Sequence, residues 1–407
     1  MSSILTVGVL LLSSQAFAQD EQAAAAEPGT QSSAEDAQLG ELRERVRLLE
    51  RSVDDLRGAA EVAPSEIPLD LQTRFRGYGA VNLNYLEEYK VLSFALDEVI
   101  FQYTANLDRK MTVNTEISFE PERESVAIGI EQLELILAPK PYFQVSAGAF
   151  HLPLSPWAVT ASQGAYRYLP TAVPEALEEE PGEEQLPIDQ TGLQLRGLVP
   201  VGFWQLSYSF AATNGRAPDP GVSPQQLDFG NGKALLGRVA LQSPAGFQVG
   251  VGGYTDLVDV HDHTAVGGGE HDDEEEIEAA TVIDDARETI LGASAVWQGG
   301  PVELSAEAYF TIHGYEGETY QSVTAFAILG VPVNKTTPYV MVDFIQVDPA
   351  DPVYAWFNTT GPELESFVGV RHELGLHLAL KSQLEVAYEL DSQTWGWGLQ
   401  GQLAAGF

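Results

Sequence analysis

The sequence predicts an all-β transmembrane β-barrel of about 16 antiparallel strands behind a short N-terminal coiled-coil helix, and three observations carry this reading. First, the terminal segment alternates Trp395, Trp397, Leu399, Gly401, Leu403, Ala405 and Phe407 with Gly396, Gly398, Gln400, Gln402, Ala404 and Gly406. A period of two gives a strand one apolar and one small or polar face, the pattern of a wall with lipid outside and water inside. Second, the alternation recurs from Leu71 onward in about sixteen runs. Third, every second connection is short and carries turn residues, whereas the others include the long acidic stretches 152–187, 257–286 and 348–364. Short turns on one rim and long loops on the other mark a barrel whose rims face different compartments.

At the N-terminus, Ile4 to Leu12 is apolar and is followed by Ala16-Phe17-Ala18, the small-x-small pattern of a signal-peptidase site. Residues 1–18 are therefore read as a signal peptide, although the usual basic leading segment is missing. Residues 19–38 are Ala- and Glu-rich without apolar periodicity and read as a disordered tether. Leu39, Leu42, Val46, Leu49, Val53 and Leu56 then step by three and four, as the a and d positions of a short coiled coil over 39–58. A lone amphipathic helix is the alternative, but so narrow an apolar stripe buries best against copies of itself. A linker follows at 59–69, and the barrel occupies 70–407. An even strand count places both barrel ends, and the coiled coil, on the periplasmic side.

The expected strands run roughly over 70–85, 92–107, 111–120, 124–138, 142–151, 188–198, 203–214, 232–243, 246–256, 287–297, 301–312, 319–329, 335–347, 365–372, 376–390 and 395–407. No other stretch beyond the leader holds about 18 uncharged apolar residues, so no membrane-spanning helix is expected, and a closed barrel is the remaining way to cross. A soluble sandwich also alternates, but it has no reason to keep one rim of turns short. A barrel this wide leaves an aqueous channel.

Composition narrows function. The chain has 407 residues, no Cys, and 59 acidic against 21 basic residues for a formal charge of -38. Disulfides and thiolate–metal sites are excluded, nucleic acid is disfavoured as a partner, and cations are favoured.

The alternation assigns faces. On the first strand Phe75, Val81, Leu83 and Tyr85 face lipid, which turns Arg74, Arg76, Tyr78, Asn82 and Asn84 inward. The same rule places Glu116, Ser118 and Glu120, then Glu303, Glu307 and Tyr309, and then His377, Lys381, Gln383, Glu385 and Glu389 in the lumen, together with Arg196, Arg238 and Arg371. The run 124–138 changes phase midway and stays unassigned. If the 152–187 loop enters the channel, Glu178, Glu179, Glu180, Glu183 and Glu184 would face Arg76, Arg196 and Arg238 across a constriction, with a transverse field that sorts solutes by charge. The alternative is a solvated external loop.

A second loop combines His261, Asp262, His263, His271, Asp272 and Asp273 around the hinge Gly267 to Gly269. Imidazole with carboxylate suits zinc, and carboxylate alone suits calcium. The expectation is weak divalent-cation capture, set against a solvated acidic surface that bridges lipopolysaccharide through such ions. No cofactor is required for the channel itself.

These features resemble the trimeric Gram-negative porins, and more closely the phosphate-selective porin O/P-like superfamily. The resemblance rests on the leader, the coiled coil at 39–56, a barrel ending in Phe407, and Val145-Ser-Ala-Gly-Ala-Phe-His-Leu-Pro-Leu-Ser before the long loop. It implies a homotrimer in the outer membrane that passes small hydrophilic solutes or cations. The basic phosphate-binding lining is not carried over, because only six Lys are present in the whole chain. An energy-coupled transporter would need a folded plug for which the segment before the barrel is too short. An enzyme is not expected, since His372 and His377 have no serine at a readable spacing. The remaining alternative is a structural or adhesive barrel acting through its acidic loops.

Overall fold

The computed structural model describes residues 72–86, 90–121, 125–161, 168–177, 185–216, 233–261, 282–354, 362–390 and 392–407. The expected signal peptide, tether, coiled coil and linker lie outside the described residues. The strands are β1 (Gln72–Leu86), β2 (Val91–Asn106), β3 (Met111–Pro121), β4 (Val126–Lys140), β5 (Phe143–His151), β6 (Asp189–Val201), β7 (Trp204–Thr213) and β8 (Ala234–Gln242). They continue as β9 (Phe247–His261), β10 (Val282–Trp297), β11 (Glu303–Tyr315), β12 (Glu318–Gly330), β13 (Thr336–Gln346), β14 (Glu363–Glu373), β15 (Leu378–Glu389) and β16 (Thr394–Gly406). Each pairs with its sequence neighbours, and β1 pairs with β16, so the sheet closes without an edge.

Closure is finished by Phe407. The register runs from Tyr78↔Gly406 to Leu86↔Gly398. Beyond it the Phe407 amide donates to the Gly77 carbonyl at 2.9 Å, and the Gly77 amide donates back to Phe407 at 3.0 Å. The Phe407 ring covers Gly77, where any Cβ would collide with it. It also meets Phe75 at 6.3 Å and Phe101 at 6.5 Å between centroids. Phe407→Ala is expected to lower the barrel's melting temperature in detergent by removing two ring contacts, worth about 0.5–1.5 kcal/mol each. An unchanged melting curve would show that the seam does not need the ring.

Two bulges explain why period-two reading breaks on β2 and β4. Opposite β1 the register jumps from Gly79↔Val99 to Val81↔Leu96, which leaves one extra residue on β2 and sends Asp97 and Glu98 together to the inside. Opposite β3 it jumps from Glu116↔Gln132 to Ser118↔Gly129, so Val126, Ile128 and Ile130 and then Leu133, Leu135 and Leu137 all face outward despite the change of parity. The phase change at 124–138 is this bulge.

Elsewhere the faces fall as the alternation requires. Val81, Leu291, Leu380 and Leu384 point outward, and Arg76, Arg196, Arg238 and Arg371 point inward, consistent with a cost of about 2–4 kcal/mol for a basic residue facing mid-bilayer lipid. Exposed outward aromatics form two belts, with Phe75, Tyr142, Phe143, Phe203 and Phe407 near the short-turn rim and Phe94, Trp395 and Trp397 near the other. Water does not tolerate so continuous an apolar surface, and interfacial aromatic girdles are what a lipid-embedded barrel carries.

The rims differ from expectation in one place. The acidic stretch was expected to begin at 257, but β9 and β10 continue to His261 and back from Val282. Beyond Thr255 and Arg287 these two strands pair only with each other, so they leave the barrel as a two-stranded ribbon. Asp and His in the run read as loop residues, yet on a ribbon the pairing is met by the backbone of the two strands. Not every connection on that rim is long: β11 and β12 are joined by Glu316 and Gly317 alone, at φ 51° and 89°. That conformation belongs to a tight hairpin turn and favours glycine at its second position.

Candidate pore lining and constriction

The loop after β5 enters the lumen. At its neck the Leu152 amide donates to the Ile188 carbonyl at 2.6 Å, holding the two limbs together. Ser155 Oγ accepts from the Ala158 amide at 3.0 Å and starts the single-turn helix α1 (Ala158–Ala161). The Trp157 indole stacks on Tyr168 at 4.0 Å and 9°, and meets the edge of Phe326 at 5.8 Å. Side chains of the far wall hold the loop backbone. The Trp157 amide donates to Glu307 at 2.9 Å, Arg371 donates to Tyr168 O at 2.9 Å, and Lys381 Nζ donates to Pro170 O at 2.9 Å. The Thr171 amide donates to Gln383 at 3.2 Å, and the Glu175 amide donates to Asp343 at 2.7 Å. These partners lie on β11, β13, β14 and β15, and β13 is eight strands from β5 in a ring of sixteen. The loop therefore spans the lumen.

An apolar seat receives it. Phe150, Leu152, Leu154, Trp157, Ala176, Leu177, Leu186 and Ile188 pack on Ile290, Phe326, Ile328, Met341 and Phe367 of the inner wall. Each large side chain buried this way contributes about 1.5–3 kcal/mol, which offsets the about 1–2 kcal/mol per residue lost on fixing the backbone. The sequence carried a signal for this seat: Ala325-Phe-Ala-Ile-Leu is apolar on both faces, which a strand with water on one side does not need.

Toward the short-turn rim the loop roofs a cavity of about 1360 Å³. Arg76, Arg196, Arg238 and Arg371 line it against Glu303 and Glu373, along with seven glutamines that include Gln102, Gln194 and Gln248. Amide side chains both donate and accept, so the wall can solvate an ion or a hydroxyl without a net charge of its own. The described loop residues that border the arginines are Pro153, Pro156, Trp157, Val159, Tyr168 and Leu169, from the aromatic half of the loop. Glu178, Glu179, Glu180, Glu183 and Glu184 lie outside the described residues.

The predicted lining residues divide into two groups. Arg76, Arg196, Arg238, Glu303 and Arg371 reach the cavity, Arg74 is exposed near the short-turn end, and Glu385 faces inward and accepts from Gln400 Nε2 at 3.0 Å. Glu116, Glu307 and Lys381 point inward but are buried, so they serve as ties and not as open lining. Glu116 accepts from Gln102 Nε2 at 2.9 Å, and Glu307 accepts from Trp157 and the Tyr309 hydroxyl. Alternation gives direction only; which inward residues a loop will cover depends on the loop's path. Of the metal candidates, His261 ends β9, and Asp262, His263, His271, Asp272 and Asp273 lie outside the described residues.

Sequence reasoning missed a buried charge network at the long-loop side. Arg216 Nη2 lies 2.8 Å from Glu288 Oε1, His313 Nε2 lies 3.0 Å from the same oxygen, and His313 Nδ1 lies 2.6 Å from Asp351 Oδ2. Tyr254 donates to Asp256 at 2.9 Å, which also accepts the Arg216 amide at 2.8 Å. The network ties the start of the connection after β7 and the 347–354 segment to β9, β10 and β11. Val347, Val353 and Tyr354 pack beside it on Val258, Ala286 and Ile345. A smaller pair, His151 Nδ1 to Asp189 at 2.7 Å, closes the base of the long loop.

This closed wall with a loop laid across its lumen has counterparts among solved structures. The fold is the sixteen-stranded barrel of the outer-membrane porins. The chain is similar to an anion-selective porin from Comamonas acidovorans, with TM-score 0.56, 12% identity, and 83% of this chain and 100% of that one covered. It is likewise similar to OmpF of Salmonella typhi in complex with daunomycin, with TM-score 0.55, 10% identity, and 83% and 98% covered. OmpT in trimer form, an outer membrane protein of Vibrio cholerae, gives 0.52 and 10%, with 83% and 99% covered. No protein-family profile and no curated protein sequence matches the chain.

Proposed function

We propose that this protein is an outer-membrane porin, a water-filled channel for passive diffusion of small hydrophilic solutes or ions. The observation that carries the reading is a closed barrel with a charged, amide-rich cavity in its lumen, narrowed by a loop bound to the opposite wall. A packed interior would have left no such space, and an adhesive barrel has no use for one. Single-channel recording of the purified protein in a planar bilayer tests it, with discrete conductance steps expected; their absence from folded protein would refute it.

Its excess of 59 acidic over 21 basic residues supports a modest cation preference, opposed locally by the cavity arginines. Glu303→Gln is expected to shift the reversal potential in a salt gradient toward anions, and no shift would remove Glu303 from the selectivity path. The trimer form of the Vibrio OmpT neighbour supports a homotrimer here. The histidine-bearing segment carried by the β9–β10 ribbon is proposed to capture divalent ions, zinc or calcium, weakly. Zinc affinity is expected to fall as pH drops through about 6.5, where imidazole protonates. Titration of the protein and of the His261→Ala, His263→Ala, His271→Ala variant reads this out; equal binding by both would leave only a solvated acidic surface.

A further inference from the structure

We propose that the channel's fixed charge changes sign along its axis, so that ionic current is rectified, with larger current when the long-loop side is positive. The proposal rests on the channel reading above and adds a direction to it. At the short-turn end the cavity holds Arg76, Arg196, Arg238 and Arg371 against Glu303 and Glu373. The exposed rim below adds Arg109, Lys110, Lys140 and Lys335 against Asp108. In the half of the barrel nearer the loops, inward positions carry carboxylates instead: Asp97 and Glu98 at the β2 bulge, Glu363 and Glu365 at the start of β14, and Glu385 on β15. Among the described residues the basic groups there are Lys90 and Lys233 at the rim, Arg287 on the outward face, and Arg216, His151 and His313, each set against a buried carboxylate.

Two oppositely charged zones in series each gather their own counter-ion. With the long-loop side positive, cations leave the acidic zone and anions leave the basic zone toward their junction, where both accumulate and carry current. With the polarity reversed, both are drawn away and the junction is depleted. The effect requires a screening length comparable with the pore radius, a condition met at about 10 Å in 0.1 M salt and lost at about 3 Å in 1 M. The Asp97–Glu98 pair is part of the device: a regular strand would have sent one of these two residues outward, and the bulge turns both toward the channel.

The test uses single channels of the full-length protein in planar bilayers, so that mixed insertion does not average the sign. The expected ratio of currents at equal and opposite voltages is about two in 0.1 M KCl and about one in 1 M. A variant with Arg76→Gln, Arg196→Gln and Arg238→Gln should conduct with its ratio near one and its reversal potential moved toward cations. An independent variant with Glu363→Gln, Glu365→Gln and Glu385→Gln should also lose rectification, with the reversal potential moved toward anions, and serves if the first does not fold. Conducting channels that are ohmic in 0.1 M salt, or variants that keep the full ratio, would overturn the charge reversal while leaving the porin reading intact. Folded protein without any conductance would overturn the porin reading itself.

Discussion

Replacing residues 153–187 with a short glycine-containing turn is expected to raise single-channel conductance roughly twofold or more, because a barrel of this strand number is an open aqueous tube unless something lies across it. The loop reaches from β5 to ties on β11, β13, β14 and β15, so its removal clears the lumen and not merely one wall. The same variant should be less stable. Phe326, Ile328, Met341 and Phe367 would then face water, at a cost of about 1.5–3 kcal/mol for each side chain left exposed. Comparing conductance with melting temperature in detergent separates the two effects. Unchanged conductance in a folded variant would mean that solutes already pass beside the loop.

Glu288→Leu should be among the most damaging single substitutions. The residue is fully buried and holds both Arg216 and His313 through one oxygen, so the change takes the carboxylate away from the guanidinium in a dry site and leaves His313 with Asp351 alone of its two carboxylates. Breaking a buried ion pair from one side costs about 3–5 kcal/mol. The loss should fall first on the segments the network clamps, making the 347–354 stretch and the chain after Thr213 sensitive to protease while the strands stay protected. A wild-type cleavage pattern and melting temperature would show that the network contributes nothing to holding the rim.

The wall of this molecule was legible because lipid imposes a rule on every second residue. Val302 to Phe310 and Leu376 to Val386 leave no choice of face, and Phe407 marks the end of the seam. The bulges were visible only as a disturbance: a phase change at 124–138 says that a residue has been inserted, but not which one the partner strand skips. What alternation could not reveal is which inward side chains meet water. Lys381 and Glu385 are four residues apart on one face of β15, yet one is buried beneath Pro170 and the other is half-buried beside Gln400. The His313 network was hidden for the same reason. Its members come from β9, β10, β11 and two connections, and no local pattern announces a meeting of five segments.

The seam between β1 and β16 also sets an order of events for the growing barrel. Gly77 and Phe407 are joined by two backbone hydrogen bonds across nearly the whole sheet, and Gln402 reaches over to Asn82 and Asp97 at 3.0 and 3.1 Å. Bringing such distant segments together carries a loop-closure cost that rises with the length between them, and contacts of this range make folding slow. Until the final strand arrives, β1 has one unpaired edge inside a medium that cannot hydrogen-bond to it. A chain truncated before β16 could not repair that edge from within, and would remain a curled open sheet seeking a partner strand. In this protein β16 acts as the clasp, and the β1 edge has to be shielded by something other than the strands already paired until β16 is in place.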